Sequence, residues 1–344
     1  MKTNLFFHTL KNYFISYLPE VKGLSQNTIM AYQYAFQLLF EFFYREKDIY
    51  PEKITFDLLN EKNIQEFLLW LEKERHCSIA TRNFRRSALY SFAKYAIKNS
   101  NSASLAFYSA MNNIPNKRAP KKSDIKYFTK DEISLLLNIP NKLTPIGRRD
   151  TVLLSLLYAS GARAQELCDL RVNDIWFEKT TKLRLTGKGN KSRMIVIPEN
   201  CALLLKKYLN SIRVDYNSPQ GRMKNIFSSQ THEKMSISCV EAIVKKYVFI
   251  AKEKYPNLFQ YHYSPHSFRH SIAVHMLECG ESLVVIKAFL GHESITTTTI
   301  YASVTPELAN KYLKERGRPL ETVSKMQDYE NPILSNFPFL KPKN

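Results

Sequence analysis

Between Ser264 and Tyr301 the chain reads S-P-H-S-F-R-H-S-I-A-V-H-M-L and then L-G-H-E-S-I-T-T-T-T-I-Y. His266 and Arg269 stand three apart just after Pro265, where a helix is expected to start, so both side chains leave one face of it. His292 follows a Leu-Gly turn, and Tyr301 ends a threonine-rich run nine residues later. Two imidazoles, a guanidinium and a phenol within so short a stretch point to a phosphodiester as the group acted upon. Upstream, Y-A-S-G-A-R-A-Q-E-L presents Arg163 on a turn with Glu166 three residues on as its nearest partner, and G-K-G-N-K-S-R sets Lys188 at a hairpin tip between two glycines. Taken alone, the Arg163–Glu166 pair reads as a structural salt bridge and the basic tip as a soluble turn.

A phosphodiester under attack gains negative charge on its non-bridging oxygens, and guanidiniums are the strongest fixed donors for that charge. Arg163 and Arg269 would supply them, and His292 would add a donor. His266 either donates to the phosphate or accepts a proton from the phenol. Tyr301 is the nucleophile: with an ordinary pKa of about 10 its phenol is protonated at neutral pH and needs activation. The departing 5′-oxygen needs a proton, for which Lys188 is the best-placed acid. Glu166 would orient Arg163 or a histidine. The sequence holds no cluster of carboxylates suited to Mg²⁺, so arginines are expected to stand in for metal, and no cofactor is expected. A covalent phosphotyrosine keeps the free energy of the broken bond, so no nucleotide-binding motif is needed.

The composition agrees. Fifty Lys and Arg against 31 Asp and Glu give a net charge of +19 over 344 residues, which favours a polyanionic partner such as nucleic acid. Cys77, Cys168, Cys201, Cys239 and Cys279 are widely spaced without a C-x-x-C pair, as expected of reduced thiols in the cytoplasm. No run approaches the roughly 18 apolar residues of a membrane span, so no membrane partner is expected. The stretch Met1–Leu18 is broken by His8, Lys11 and Asn12 and does not read as a signal peptide.

Helices must carry most of these groups. Helical spacing runs from a cap at Leu24–Thr28 through Phe43, from Asn60 to Glu74, and from about Ser78. The last of these puts Arg82, Arg85 and Arg86 together as a cationic face opposite Ala88, Leu89, Phe92 and Tyr95. A proline-bearing basic linker follows, with Lys117, Arg118, Lys121 and Lys122 able to lie along a duplex. Thr129–Glu132 reads as a capping box and Arg149–Tyr158 as a buried helix that stops at Gly161. Residues 182–185 and 194–197 form a β-hairpin whose tip offers Lys191 and Arg193 beside Lys188. Residues 223–228 are expected as a short strand. Helices are expected at about 201–212, 236–253, 267–278, 281–290 and 306–316, and an apolar tail, Ile333–Leu340, needs a surface to dock on.

In order and spacing, Arg163 in G-A-R-A-Q-E-L, Lys188, H-S-F-R at 266–269, L-G-H ending at His292, and Tyr301 resemble the active site of the tyrosine recombinases, the phage-integrase and Xer-like family. The pair Ala164-Gln165 departs from the apolar residue and serine usual there, without removing a catalytic group. The resemblance implies a mainly α fold with a small β-sheet (α+β). It implies a two-domain C-shaped clamp: an N-terminal helical core-binding (SAM-like) DNA-binding domain at 1–116, a basic linker at 117–126, a catalytic domain at 127–317 and a tail at 318–344 exchanged between protomers. It implies a site-specific recombinase acting on double-stranded DNA as a homo-tetramer on two sites, with accessory DNA-bending proteins or a partner recombinase. The long tail favours integration, excision or transposition of a mobile element over Xer-type dimer resolution. A type IB topoisomerase and a catalytically silent DNA-binding regulator are the rival readings, the second opposed by the intact residue set.

Overall fold

The computed structural model describes residues 4–99, 101–118, 125–215, 218–292, 294 and 296–302. The chain divides into two compact units, residues 1–122 and 123–344. The expected helix at 306–316, the tail 318–344, and Lys121 and Lys122 lie outside the described residues, as does the side chain of Lys188.

The first unit is helical. Helix α1, Leu5–Asn12, continues into a wider π-helical segment, Tyr13–Val21. Then come α2, Gln26–Lys47, α3, Glu61–Lys73, α4, Ile79–Asn99, and α5, Leu105–Asn113. Local chemistry sets the starts: the Asn60 side chain caps α3 by accepting from the Asn63 amide at 3.0 Å. The helices converge on Phe92 of α4, whose ring meets Phe6, Tyr13, Phe36 and Phe107 at centroid separations of 5.2–6.0 Å. Such edge and offset contacts add to the burial of these large apolar rings.

Of the cationic face expected on α4, the structure makes an internal fastener. Arg86 is only 8% exposed; its Nε donates to the Ile114 carbonyl at 2.6 Å and its Nη2 to the Met111 carbonyl at 2.7 Å, tying α4 to the end of α5. Arg85 donates to the Ala31 carbonyl and lies over the Tyr34 ring, and Arg82 pairs with Glu72 and donates to the Pro115 carbonyl. The i, i+3, i+4 spacing did place them together, but on the side that packs against neighbouring backbone. A long side chain can satisfy carbonyls at helix ends that shorter ones cannot reach.

In the second unit, α6, Lys130–Leu137, opens with the expected capping box. Its Glu132 is buried and does more than cap: one carboxylate oxygen accepts from the Thr129 amide, the other from the Phe259 amide at 2.7 Å and the Tyr263 hydroxyl at 3.2 Å. Helix α7, Pro145–Ser160, is almost wholly buried and ends at Gly161 with φ +57°. There a Cβ would come within 2.9 Å of Leu290 and 3.1 Å of Phe289, so both conformation and space call for glycine. After the short α8, Ala164–Asp169, three antiparallel strands follow in sequence order, β1, Ile175–Phe177, β2, Thr181–Thr186, and β3, Ser192–Val196. The expected strand at 223–228 is instead the end of α10, Pro219–Met223, preceded by α9, Glu199–Ser211, and followed by a single bridge from Asn225 to Arg171. Helices α11, Ile237–Lys254, α12, Pro265–Glu278, α13, Leu283–Leu290, and α14, Thr296–Ala302, complete the described residues.

Replacing Arg86 with Met strands two buried carbonyls and should lower the stability of the first unit by about 2–4 kcal/mol. Urea unfolding of the full chain, read from Trp70 in a Trp176→Phe background, measures it. An unmoved transition would mean that the guanidinium is not a fastener.

Candidate active site

Helix α12 is the platform. Ser264 is its N-cap and Pro265 opens it, and the Ser271 hydroxyl accepts the Phe128 amide at 2.8 Å, pinning the helix to the segment before α6. His266, Arg269 and His270 share one helical face. His266 is exposed, His270 half-buried, and Arg269 has no exposed surface at all.

Arg269 is held by backbone. Its Nη1 donates to the Gly161 carbonyl at 2.7 Å and its Nη2 to the Leu290 carbonyl at 2.6 Å; its buried Nε has no hydrogen-bond partner among the described residues. Burial, with the positive charges of Arg163 and Arg193 in support, pulls its pKa down to about 9, which still leaves it charged at neutral pH.

Arg163 sits at the N-cap of α8 with Glu166 three residues on. Glu166 is buried and accepts four bonds: from the Arg163 amide and Nη1, and from Arg193 Nη1 and Nη2, each at 2.9 Å. Burial pushes the carboxyl up, but the hydrogen bond and charge of Arg193, with the bonds from Arg163, outweigh it and hold the group below its usual range. The expected partnership of Glu166 with Arg163 is present. Arg193, expected on the outer tip of the hairpin, belongs to this ion triad instead, with only 14% of its side chain exposed and its Nε on the Phe289 carbonyl. Strand register explains the difference: Arg193 pairs with Leu185, next to the Leu183–Ile195 pair, so it shares the inward face of the sheet with buried residues.

The turn that carries Lys188 lies against the same group. A Cβ on Gly187 would fall 3.0 Å from the Glu166 carboxylate and 3.7 Å from Arg163 Nη1, so only glycine lets the strand end come so close. Lys191 remains on the exposed surface, as do Arg118 and Lys117, whose Nζ donates to Glu72.

Tyr301 is on α14 and 1% exposed, a helical setting that its threonine-rich approach did not announce. Its hydroxyl and His270 Nδ1 are 3.0 Å apart, and the His292 ring lies parallel to the phenol with centroids 6.5 Å apart. Burial raises the phenol pKa, opposed by the charges of Arg269 and Arg163. His292 Nδ1 is 2.9 Å from the buried Thr298 hydroxyl. Burial, then Arg269 and Arg163, take its pKa down to about 4, so the ring is neutral at neutral pH. If Nδ1 accepts from Thr298, Nε2 carries the proton and can donate. The structure thus brings together Arg163, Arg269, His292 and Tyr301 with Glu166, adds Arg193, and reveals His270. That His270 lies one turn beyond His266 is legible in the sequence, and helical spacing alone could have found it.

Because the folded His292 titrates near 4 and an unfolded histidine near 6.5, only the unfolded chain binds that proton between these values. Stability is therefore untouched above pH 6.5 and falls as pH drops toward 4. His292→Gln should flatten part of that fall in a series of thermal melts. Identical slopes for variant and parent would mean that the ring is not desolvated.

Residues 126–307 match the Phage integrase family, and residues 12–100 match the Phage integrase, N-terminal SAM-like domain. Tyrosine recombinase XerA of Pyrococcus horikoshii is 32% identical over 90% of this chain and 94% of its own. Among solved structures, the XerH site-specific recombinase bound to palindromic difH substrate in a post-cleavage complex superimposes with a TM-score of 0.67, 20% identity, and 93% and 90% of the two chains covered. The Tn1549 transposon integrase in complex with transposon right end DNA gives 0.65 at 16% identity, covering 88% and 98%. Sequence and fold together place this chain in the phage integrase family of tyrosine recombinases.

Proposed function

We propose that this chain is a site-specific recombinase that cuts and rejoins double-stranded DNA through a covalent 3′-phosphotyrosine at Tyr301, in integration, excision or transposition of a mobile element. The observation that carries the reading is a buried phenol bonded to an imidazole inside a cluster of guanidiniums. Arg163, Arg269 and neutral His292 would hold the developing charge on the phosphate, with Glu166 and Arg193 fixing Arg163. Lys188 would protonate the leaving 5′-oxygen. The first unit would grip DNA with the linker, through Lys117, Arg118, Lys121 and Lys122, and Lys191 would add a phosphate contact from the hairpin. Xer-type dimer resolution is the second reading, favoured by the similarity to XerA and XerH.

Exchanging two duplexes takes four strand cuts, and with one Tyr301 per chain this means four protomers on DNA, assembled where the recombining DNA is, in the cytoplasm. Identical subunits closing a ring need a donor element and a different acceptor surface. The helix expected around residues 306–315 and the apolar tail Ile333–Leu340 are the donor in this reading. Val284 and Val285 of α13, 65% and 45% exposed, offer apolar surface on the second unit.

Tyr301→Phe should abolish covalent adduct on nicked suicide duplexes while leaving DNA affinity nearly unchanged. Arg163→Ala should cost about 10²–10³ in cleavage rate, as expected for one preorganised donor. A Tyr301→Phe protein that still forms an adduct would mean another nucleophile. Truncation after Arg318 should keep single-site binding and lose synapsis; full recombination by the truncated protein would remove the tail from assembly.

A further inference from the structure

The phenol of Tyr301 must lose its proton to attack phosphorus, and burial makes that loss harder. Two imidazoles on α12 are near enough to matter. His266 is exposed and meets His270 edge-on with centroids 4.5 Å apart. His270 is the one whose ring nitrogen lies within hydrogen-bond distance of the phenol oxygen, at 3.0 Å, and whose ring meets the Tyr301 ring at 5.6 Å. His292 has its Nδ1 opposite Thr298 and its ring plane parallel to the phenol. The arginines can stabilise a phenolate, yet a guanidinium stays protonated and takes no proton.

We propose that His270 is the general base that takes the proton of Tyr301, a role that rests on the recombinase reading above. In cleavage, the Tyr301 oxygen bonds to phosphorus as its proton passes to His270 Nδ1. The bond from phosphorus to the 5′-oxygen breaks, and that oxygen takes a proton from Lys188. Rejoining runs in reverse: a 5′-hydroxyl attacks phosphorus and gives its proton to the neutral Lys188 amine, the phosphotyrosine bond breaks, and protonated His270 returns its proton to the phenol oxygen. No electron is gained or lost and no co-reactant is required. The step calls for a neutral His270 with its proton on Nε2, and leaves His266 the other of its two roles, donation to the phosphate. The i, i+4 spacing of His266 and His270 on one helix gives each imidazole its own task, one toward the substrate and one toward the nucleophile.

The test uses the full chain and nicked suicide duplexes tiled across the DNA that flanks its own gene, made with an ordinary 5′-oxygen or a 5′-bridging sulfur at the scissile phosphate. Sulfur leaves without protonation, so the second substrate removes the need for Lys188. His270→Ala and His270→Asn should bind the duplexes like the parent and form adduct at least ~10²-fold more slowly at neutral pH on both substrates. The deficit should shrink as pH rises toward ionisation of the phenol. Lys188→Ala should recover on sulfur alone. Asparagine can keep the hydrogen bond but has no useful basicity, so parental rates and pH profile with His270→Asn would reduce His270 to a positioning residue and overturn the proposal. Full-rate cleavage by His270→Ala would do the same while leaving the recombinase reading intact, whereas a parent that forms no adduct on any duplex overturns that reading first. In the free protein, ¹⁵N-histidine spectra should contain an Nε2-protonated ring, distinct from that of His292, whose signal is lost in His270→Asn and moves in Tyr301→Phe; a His270 signal indifferent to the phenol would contradict the bond.

Discussion

A cation with no exposed surface has to be stabilised by something, and at Arg269 it is the ends of helices. Gly161 caps α7 and Leu290 is the last residue of α13; their carbonyls point at the guanidinium at 2.7 and 2.6 Å. Both are C-terminal ends, where unsatisfied carbonyls and the helix dipole concentrate negative partial charge. The arrangement solves two problems at once. The last carbonyls of α7 and α13 find donors inside the protein, and the arginine is desolvated without a carboxylate to cancel it. Its one hydrogen-bonding atom without a partner among the described residues, Nε, is buried. Both capping glycines, Gly161 and Gly291, are left-handed, so the helices can end abruptly enough to present these carbonyls.

Arg163 is handled differently, and the contrast sets the charge of the site. One carboxylate, Glu166, serves two arginines, with Arg193 bound through both of its terminal nitrogens and Arg163 through one. A buried ion pair stripped of one member leaves an uncompensated charge, which is costly, but a triad of two cations and one anion keeps Glu166 ionised and still carries positive charge outward through the half-exposed Arg163. With Arg269 included, three arginines face one carboxylate. The packing that makes this feasible is tight at two further glycines. A side chain at Gly187 would reach Glu166, and one at Gly291 would come within 2.9 Å of Arg193 Cδ. The lysine-bearing turn and the end of α13 therefore approach the triad as closely as backbone can.

Much of this was legible in the sequence where a local rule decided it. The capping box at Thr129, the stop of α7 at Gly161, the pairing of Glu166 with Arg163 and the hairpin around Lys188 all follow from residues within a few positions of one another. What failed were choices settled by distant chain. The spacing of Arg82, Arg85 and Arg86 reads as a cationic face for a phosphate backbone, and only the end of α5, some 25 residues on, supplies the carbonyls that bury Arg86. Residues 223–228 look like a strand by composition, but they have one bridge and no ladder to join. Arg193 is the instructive middle case. Alternation along 193, 195 and 197 puts it on the face of Ile195 and Ile197, so strand parity was enough to turn it inward.

The same charges constrain how a buried tyrosine can act. In the free protein Arg269 and Arg163 ease ionisation of Tyr301 against the cost of burial. A phosphate drawn between those arginines brings its own negative charge, which offsets their pull on the phenol and repels a phenolate formed beforehand. In the proposed reaction the arginines would therefore help most in the transition state, when charge spreads over the phosphate oxygens, and least in the ground state, where the phenol must still shed its proton. An acceptor in contact with the hydroxyl, the role proposed for His270, would remove that conflict, because proton transfer and attack could proceed together without a free phenolate. His292, kept neutral by burial and by the same arginines, adds a donor without adding a charge that a departing proton would have to oppose. In the proposed reaction the site would divide its work by charge state: fixed cations for the phosphate, and the neutral His292 beside the phenol.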